Sequence, residues 1–174
     1  MNNVKKIIFL SLLVSIGLAL SIIETMIPLP FVAPGAKLGL SNIVILITLV
    51  VFGFRESITI GILKSITFTL ATGSVSSLFY SLTGAILSCI AMYIVYRNLS
   101  KVFSLIGVSI FGAVAHNFGQ ILVASLMMKN IRIFSYLPIL LLTSLFTGYF
   151  VGLASIYISK NLKNYFDNIF LYKN

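Results

Sequence analysis

Charge is what this sequence has least of. Only 9% of its 174 residues are charged, against about a quarter in a soluble domain. Three acidic residues, Glu24, Glu56 and Asp167, stand against 12 Lys and Arg, for a net charge of +9. Cysteine occurs once, at Cys89, so no internal disulfide can form. That cysteine sits in an apolar stretch and reads as a small packing residue. Histidine also occurs once, at His116. One His and one Cys do not make a metal site. Prenyl-diphosphate chemistry needs aspartate clusters to hold magnesium, and the one aspartate lies near the end of the chain. There is no glycine-rich phosphate loop with its lysine, so the chain does not itself hydrolyse ATP. A lone His beside Asn and Gln has no second group for nucleophilic catalysis. The sequence therefore predicts neither an enzyme nor a bound cofactor. Its basic residues fall mostly between apolar runs, where charge sets membrane orientation, so no nucleic-acid partner is expected.

What is abundant is apolar surface, at 59% of residues. The pattern predicts one all-α membrane domain over residues 1–174. Its six spans run Ile7–Ile27, Leu38–Phe52, Ser57–Ala71, Val75–Tyr96, Val102–Met127 and Tyr136–Ser159. The first run follows Lys5 and Lys6 as a signal peptide would. It is long enough to span, and the bulky Ile22–Met26 stretch offers no cleavage site, so it reads as a membrane helix. Spans two and three are short, which implies little tilt or a locally thin bilayer. With the N-terminus inside, Lys5, Lys6, Arg55, Arg97, Lys101, Lys160, Lys163 and Lys173 face the cytoplasm. Only Lys37, Lys129 and Arg132 face outward, which predicts both termini inside the cell membrane. Residues 160–174 alternate basic and apolar groups and read as an interfacial helix on the inner surface.

Polar groups within the spans carry the functional signal, because each costs free energy unless it is paired or faces the bundle interior. Glu24 lies near the outer end of span one. Lys37 and Asn42 begin span two, after the loop Pro34-Gly35-Ala36. Lys64 lies mid-span in span three, and His116, Asn117 and Gln120 lie in span five. All fall at or outside the mid-plane, which predicts one site open to the outside, with Pro28–Lys37 as a lid. Each residue also has a plainer reading. Glu24 and Lys37 could be interfacial and solvated, and Lys64 could snorkel toward the cytoplasmic end. The His116 cluster could only bind helices together. In span one, Ser11, Ser15 and Ala19 recur every four residues, with Gly17 and Ser21 as a second row. Small residues at this spacing admit a close helix, from this bundle or from a partner.

Three segments together carry a family resemblance: Pro34-Gly35-x-Lys37-x-Gly39-Leu40-x-Asn42, Phe52-Gly53, and Gly112-Ala113-x-x-His116-Asn117-x-Gly119-Gln120. They resemble the membrane family of heptaprenyl diphosphate synthase component I, also called the Gx transporter family, over essentially all six spans. That family is similar in layout to the substrate-binding S components of energy-coupling factor (ECF) transporters, which work with a membrane coupling subunit and two cytoplasmic ATPases. The resemblance implies capture of a small molecule by Glu24, Lys37, Asn42, Lys64, His116, Asn117 and Gln120. Two lysines favour an anionic or carbonyl-rich ligand. It also implies a coupling-subunit contact through Ser11, Ser15 and Ala19, where S components carry Ala-x-x-x-Ala. Its enzyme name implies an association with a prenyl synthase, and members of the family imply a link to redox, flavin or quinone functions. The competing expectation is thus a non-catalytic anchor for a prenyl synthase or redox partner, with the basic loops and tail as its working surface.

Overall fold

The computed structural model describes residues 3–27 and 37–171, with side chains over 4–27 and 37–164. Most of the expected lid, with Pro34, Gly35 and Ala36, lies outside the described residues, as do the side chains of the tail beyond 164. The described residues are helical and contain no strand. The elements are α1 (Asn3–Thr25), α2 (Asn42–Val51), α3 (Phe54–Thr72), α4 (Val75–Asn98), α5 (Leu105–Met127), a short 3-10 helix (Ile131–Tyr136) and α6 (Leu137–Leu171). Four segments are long and apolar enough to cross a membrane: Val4–Thr25, Val75–Asn98, Leu105–Met127 and Ile131–Asn164. Helix α6 runs without a break as far as Leu171, so the described part of the expected interfacial tail is helical and continuous with the last span.

The organising element is the shortest one. Helix α2 has 10 residues, about 15 Å of rise, which is half of a bilayer core about 30 Å thick. It touches all five other α-helices, and Val44 through Leu49 are all buried. A helix that is apolar all round belongs in the centre of a bundle. Of the expected span Leu38–Phe52, helix covers Asn42–Val51. Gly39, at φ +83°, holds the chain in the left-handed region, so helix begins only at Asn42. The apolar Leu38 and Leu40 had extended the expected span into what is a loop. Around α2 pack Leu13, Ile60, Ala85, Cys89, Met92 and Val108. Cys89 is fully buried among them, and its thiol donates to Ser57 Oγ at 3.4 Å.

Helix α1 sorts its small residues onto two faces. Leu13, Gly17, Ser21 and Glu24 are buried, whereas Ser11, Ser15 and Ala19 are exposed. A Cβ added at Gly17 would lie 3.0 Å from Lys64 Cδ, so that glycine leaves room for the lysine stem. A tighter contact joins α5 to α6. A Cβ at Gly148 would lie 2.6 Å from Ile110 Cα, and one at Gly152 2.5 Å from Ile106 Cα. The Gly-x-x-x-Gly spacing is the sequence signal for this backbone-to-backbone approach.

Candidate ligand-binding site

The described end of the loop before α2, residues 37–41, enters the bundle. Lys37, Gly39 and Ser41 are buried. Irregular backbone at membrane depth is tolerated where protein encloses it or where it lines a cavity. Its polar groups must therefore find partners inside the bundle.

They find them on three helices. From α1, the Glu24 carboxylate accepts the Leu40 backbone N–H through Oε1. From α3, the Lys64 ammonium donates to Ser41 Oγ at 2.9 Å. From α5, Gln120 Oε1 accepts the Lys37 backbone N–H at 3.0 Å. That last bond fixes a chain of assignments. A backbone N–H only donates, so the Gln120 oxygen must face the loop and its NH2 must face His116. Gln120 Nε2 lies 2.8 Å from His116 Nε2. His116 Nε2 is then the lone-pair nitrogen, and the network assigns a neutral imidazole with its proton on Nδ1. The other ring edge lies against α4, where a Cβ at Gly84 would sit 2.7 Å from Nδ1 and Cε1.

Five buried polar atoms in this cluster have no hydrogen-bond partner among the described residues: Glu24 Oε2, Lys37 Nζ, both Oδ1 and Nδ2 of Asn42, and His116 Nδ1. The Lys37 ammonium rests over the Phe68 ring, 2.9 Å from its centroid. Phe68 is itself 1% exposed. Lys37 and Lys64 both act electrostatically on Glu24. Two ammonium groups thus face one carboxylate, and the N-terminus of α2 points its partial positive charge at the same place. Lys37 lies in the loop outside the helices; burial lowers its pKa to about 7, with Glu24 opposing the shift.

Six of the seven expected ligand residues therefore meet: Glu24, Lys37, Asn42, Lys64, His116 and Gln120. Neither solvation of Glu24 and Lys37 nor snorkelling of Lys64 is seen, since all three are buried. Asn117 lies apart from these six. It lies one residue round α5 and faces α6, donating to Leu140 O at 3.1 Å and Ser144 Oγ at 2.8 Å. Its amide nitrogen ties α5 to α6, and its Oδ1 is buried with no hydrogen-bond partner among the described residues. Likewise Gly119 meets the Gly84 backbone at 3.3 Å from an added Cβ, so it admits α4 and not a ligand. Sequence reasoning missed Ser41 and Phe68. Ser41 stood within the loop motif with no cue that a lysine would bond it. Phe68 lies one turn beyond Lys64, on the same face, which is the cue that was present.

Fold and site together define an integral membrane protein built around a buried, cation-rich polar cluster. The family described as heptaprenyl diphosphate synthase component I matches residues 13–158, and the chain belongs to it. The match spans α1 to α6 and contains every residue of the cluster. No curated protein and no solved structure matches the chain. The family description names a component of a synthase. The chain's one aspartate is Asp167, and no group of three or more His, Cys, Asp or Glu is placed to hold a metal among the described residues.

Proposed function

We propose that this protein is the substrate-capturing membrane subunit of an ECF-type importer, a six-span bundle with both termini in the cytoplasm. The observation that carries the reading is the set of unpartnered buried polar atoms on Glu24, Lys37 and Asn42. A buried donor or acceptor left unmade costs about 1–3 kcal/mol, so five of them at one place, with His116 Nδ1 beside those three residues, are a standing demand for a ligand. A half-length helix with an irregular start inside the bundle is also how membrane carriers build such sites. The excess of lysine over glutamate selects an anionic or carbonyl-rich molecule, and the Phe68 face supplies an apolar floor. The exposed Ser11, Ser15 and Ala19 stripe would receive the coupling subunit, and separate ATPases would supply the energy.

A second reading rests on the family description. Component I of a synthase implies a catalytic partner, and this chain would then hold a prenyl synthase or a redox protein at the membrane. Purification from native membranes in mild detergent, with mass spectrometry of the bound proteins, separates the two. Recovery of a coupling subunit and paired ATPases, lost when Ser15 and Ala19 are changed to leucine, supports the importer. Recovery of a prenyl synthase or redox protein in their place overturns it.

A further inference from the structure

A second constellation lies at the other end of α1. Lys6 and Glu24 are separated by 18 positions, or about 27 Å of helix rise, so the two features sit near opposite faces of a bilayer core. Between the start of α1 and the first turns of α3 is a groove of about 410 Å³, lined by Lys6, Ile7, Leu10, Arg55, Glu56 and Thr59. Its polar end holds the one ion pair among the described residues, Lys6 with Glu56. Arg55 stands beside that pair, exposed and without an ion-pair partner of its own among the described residues. The α1 wall is apolar. Ile7 is 63% exposed and Ile8 65%, so the wall continues onto the outer face of a span that is only 22% buried by the protein.

Two cations and one acid at the mouth leave a net positive charge, and guanidinium matches phosphate oxygens in a two-pronged geometry. A water-soluble anion would leave the apolar wall uncovered. A zwitterionic headgroup would bring its own cation against Arg55 and Lys6. An anionic headgroup carrying an acyl chain satisfies both ends, and basic pockets between membrane helices bind such lipids. We propose that this groove holds one anionic phospholipid, its phosphate on Arg55 and Lys6 and an acyl chain along Ile7 and Leu10. Glu56 tunes the site by competing with the phosphate for Lys6. The lipid would splint α1 to α3 at the end away from the polar cluster.

The test uses the full chain in detergent, stripped of lipid and titrated with dioleoyl phosphatidylglycerol, dioleoyl phosphatidylcholine, farnesyl diphosphate or inorganic phosphate. Native mass spectrometry reads the retained molecules. One phosphatidylglycerol should be held, with phosphatidylcholine weaker. Arg55→Gln should weaken retention about fivefold, as loss of one basic contact to an anionic lipid implies. Glu56→Gln should strengthen it, and Lys129→Gln should leave it unchanged. Equal retention of both phospholipids, or unchanged retention in Arg55→Gln, overturns the proposal. So does full displacement by inorganic phosphate, which would make the site a phosphate site, or preferential retention of farnesyl diphosphate, which would make it a prenyl-diphosphate site. A protein subunit found covering Arg55 in the native complex would also overturn it.

Discussion

The backbone N–H of Lys37 and the side-chain oxygen of Gln120 meet at 3.0 Å across 83 positions of sequence. This bond ties the loop before α2 to α5, and through Gln120 Nε2 it sets the orientation of His116. Gln120→Leu removes the acceptor and strands a buried N–H. The expected cost is about 1–3 kcal/mol, read as a lowered unfolding temperature in detergent. Gln120→Glu keeps an acceptor toward Lys37 but offers no donor to His116, so its loss should show in ligand retention.

Glu24 and Lys64 act on each other inside the bundle, and removal of one leaves a buried charge. Lys64→Met should lower stability, because a buried carboxylate loses a nearby cation and Ser41 Oγ loses its donor. The double variant Glu24→Gln with Lys64→Met should recover part of that loss. Additive effects in a double-mutant cycle would show the two charges to be uncoupled.

Gly39 is required twice over. Its φ is +83°, and an added Cβ would meet Asn42 Nδ2 at 2.9 Å and His116 Cδ2 at 3.1 Å. Gly39→Ala should cost about 1–3 kcal/mol from the strained backbone, with crowding on top. Chemical unfolding of the purified protein measures it, and a neutral result would contradict the placement of the loop against α5.

Lys37 gives a pH signature with opposite signs for stability and binding. Folding lowers its pKa from 10.5 to about 7. Between those values the unfolded chain holds a proton that the folded chain has shed, so the stability of ligand-free protein should rise with pH across that window. Retention of an anionic ligand should fall as pH rises through about 7, because the deprotonated amine loses its attraction. Thermal unfolding from pH 6 to 9, in wild type and Lys37→Met, tests the stability part. The slope should flatten in the variant.

Much of this was legible in the sequence because polar residues are so rare in it. Glu24, Lys37, Lys64 and His116 stand out against an apolar background, and charge in hydrocarbon has few permitted places. Helix existence followed from apolar length. Less legible was the central position of α2, since an apolar run of this kind reads equally as a lipid-facing span or a buried core helix. The direction of Asn117 was hidden by its neighbours. His116 and Gln120 share a helix face at four-residue spacing, and Asn117 falls a third of a turn away, toward Ser144. The role of Gly39 required its backbone angle, which no neighbouring residue announces. The Gly148-x-x-x-Gly152 spacing was readable but carried no chemistry to draw the eye.

The most direct measurement is the small-molecule content of the protein purified natively in mild detergent. Wild type should be compared with Lys37→Ala, His116→Ala and Asn117→Ala, each checked for insertion and folding. One anionic or carbonyl-rich molecule is expected in wild type and in Asn117→Ala, and its loss from Lys37→Ala and His116→Ala. Equal retention in all four proteins, or only bulk lipid in each, would contradict a ligand site at this cluster and leave its residues as bundle packing.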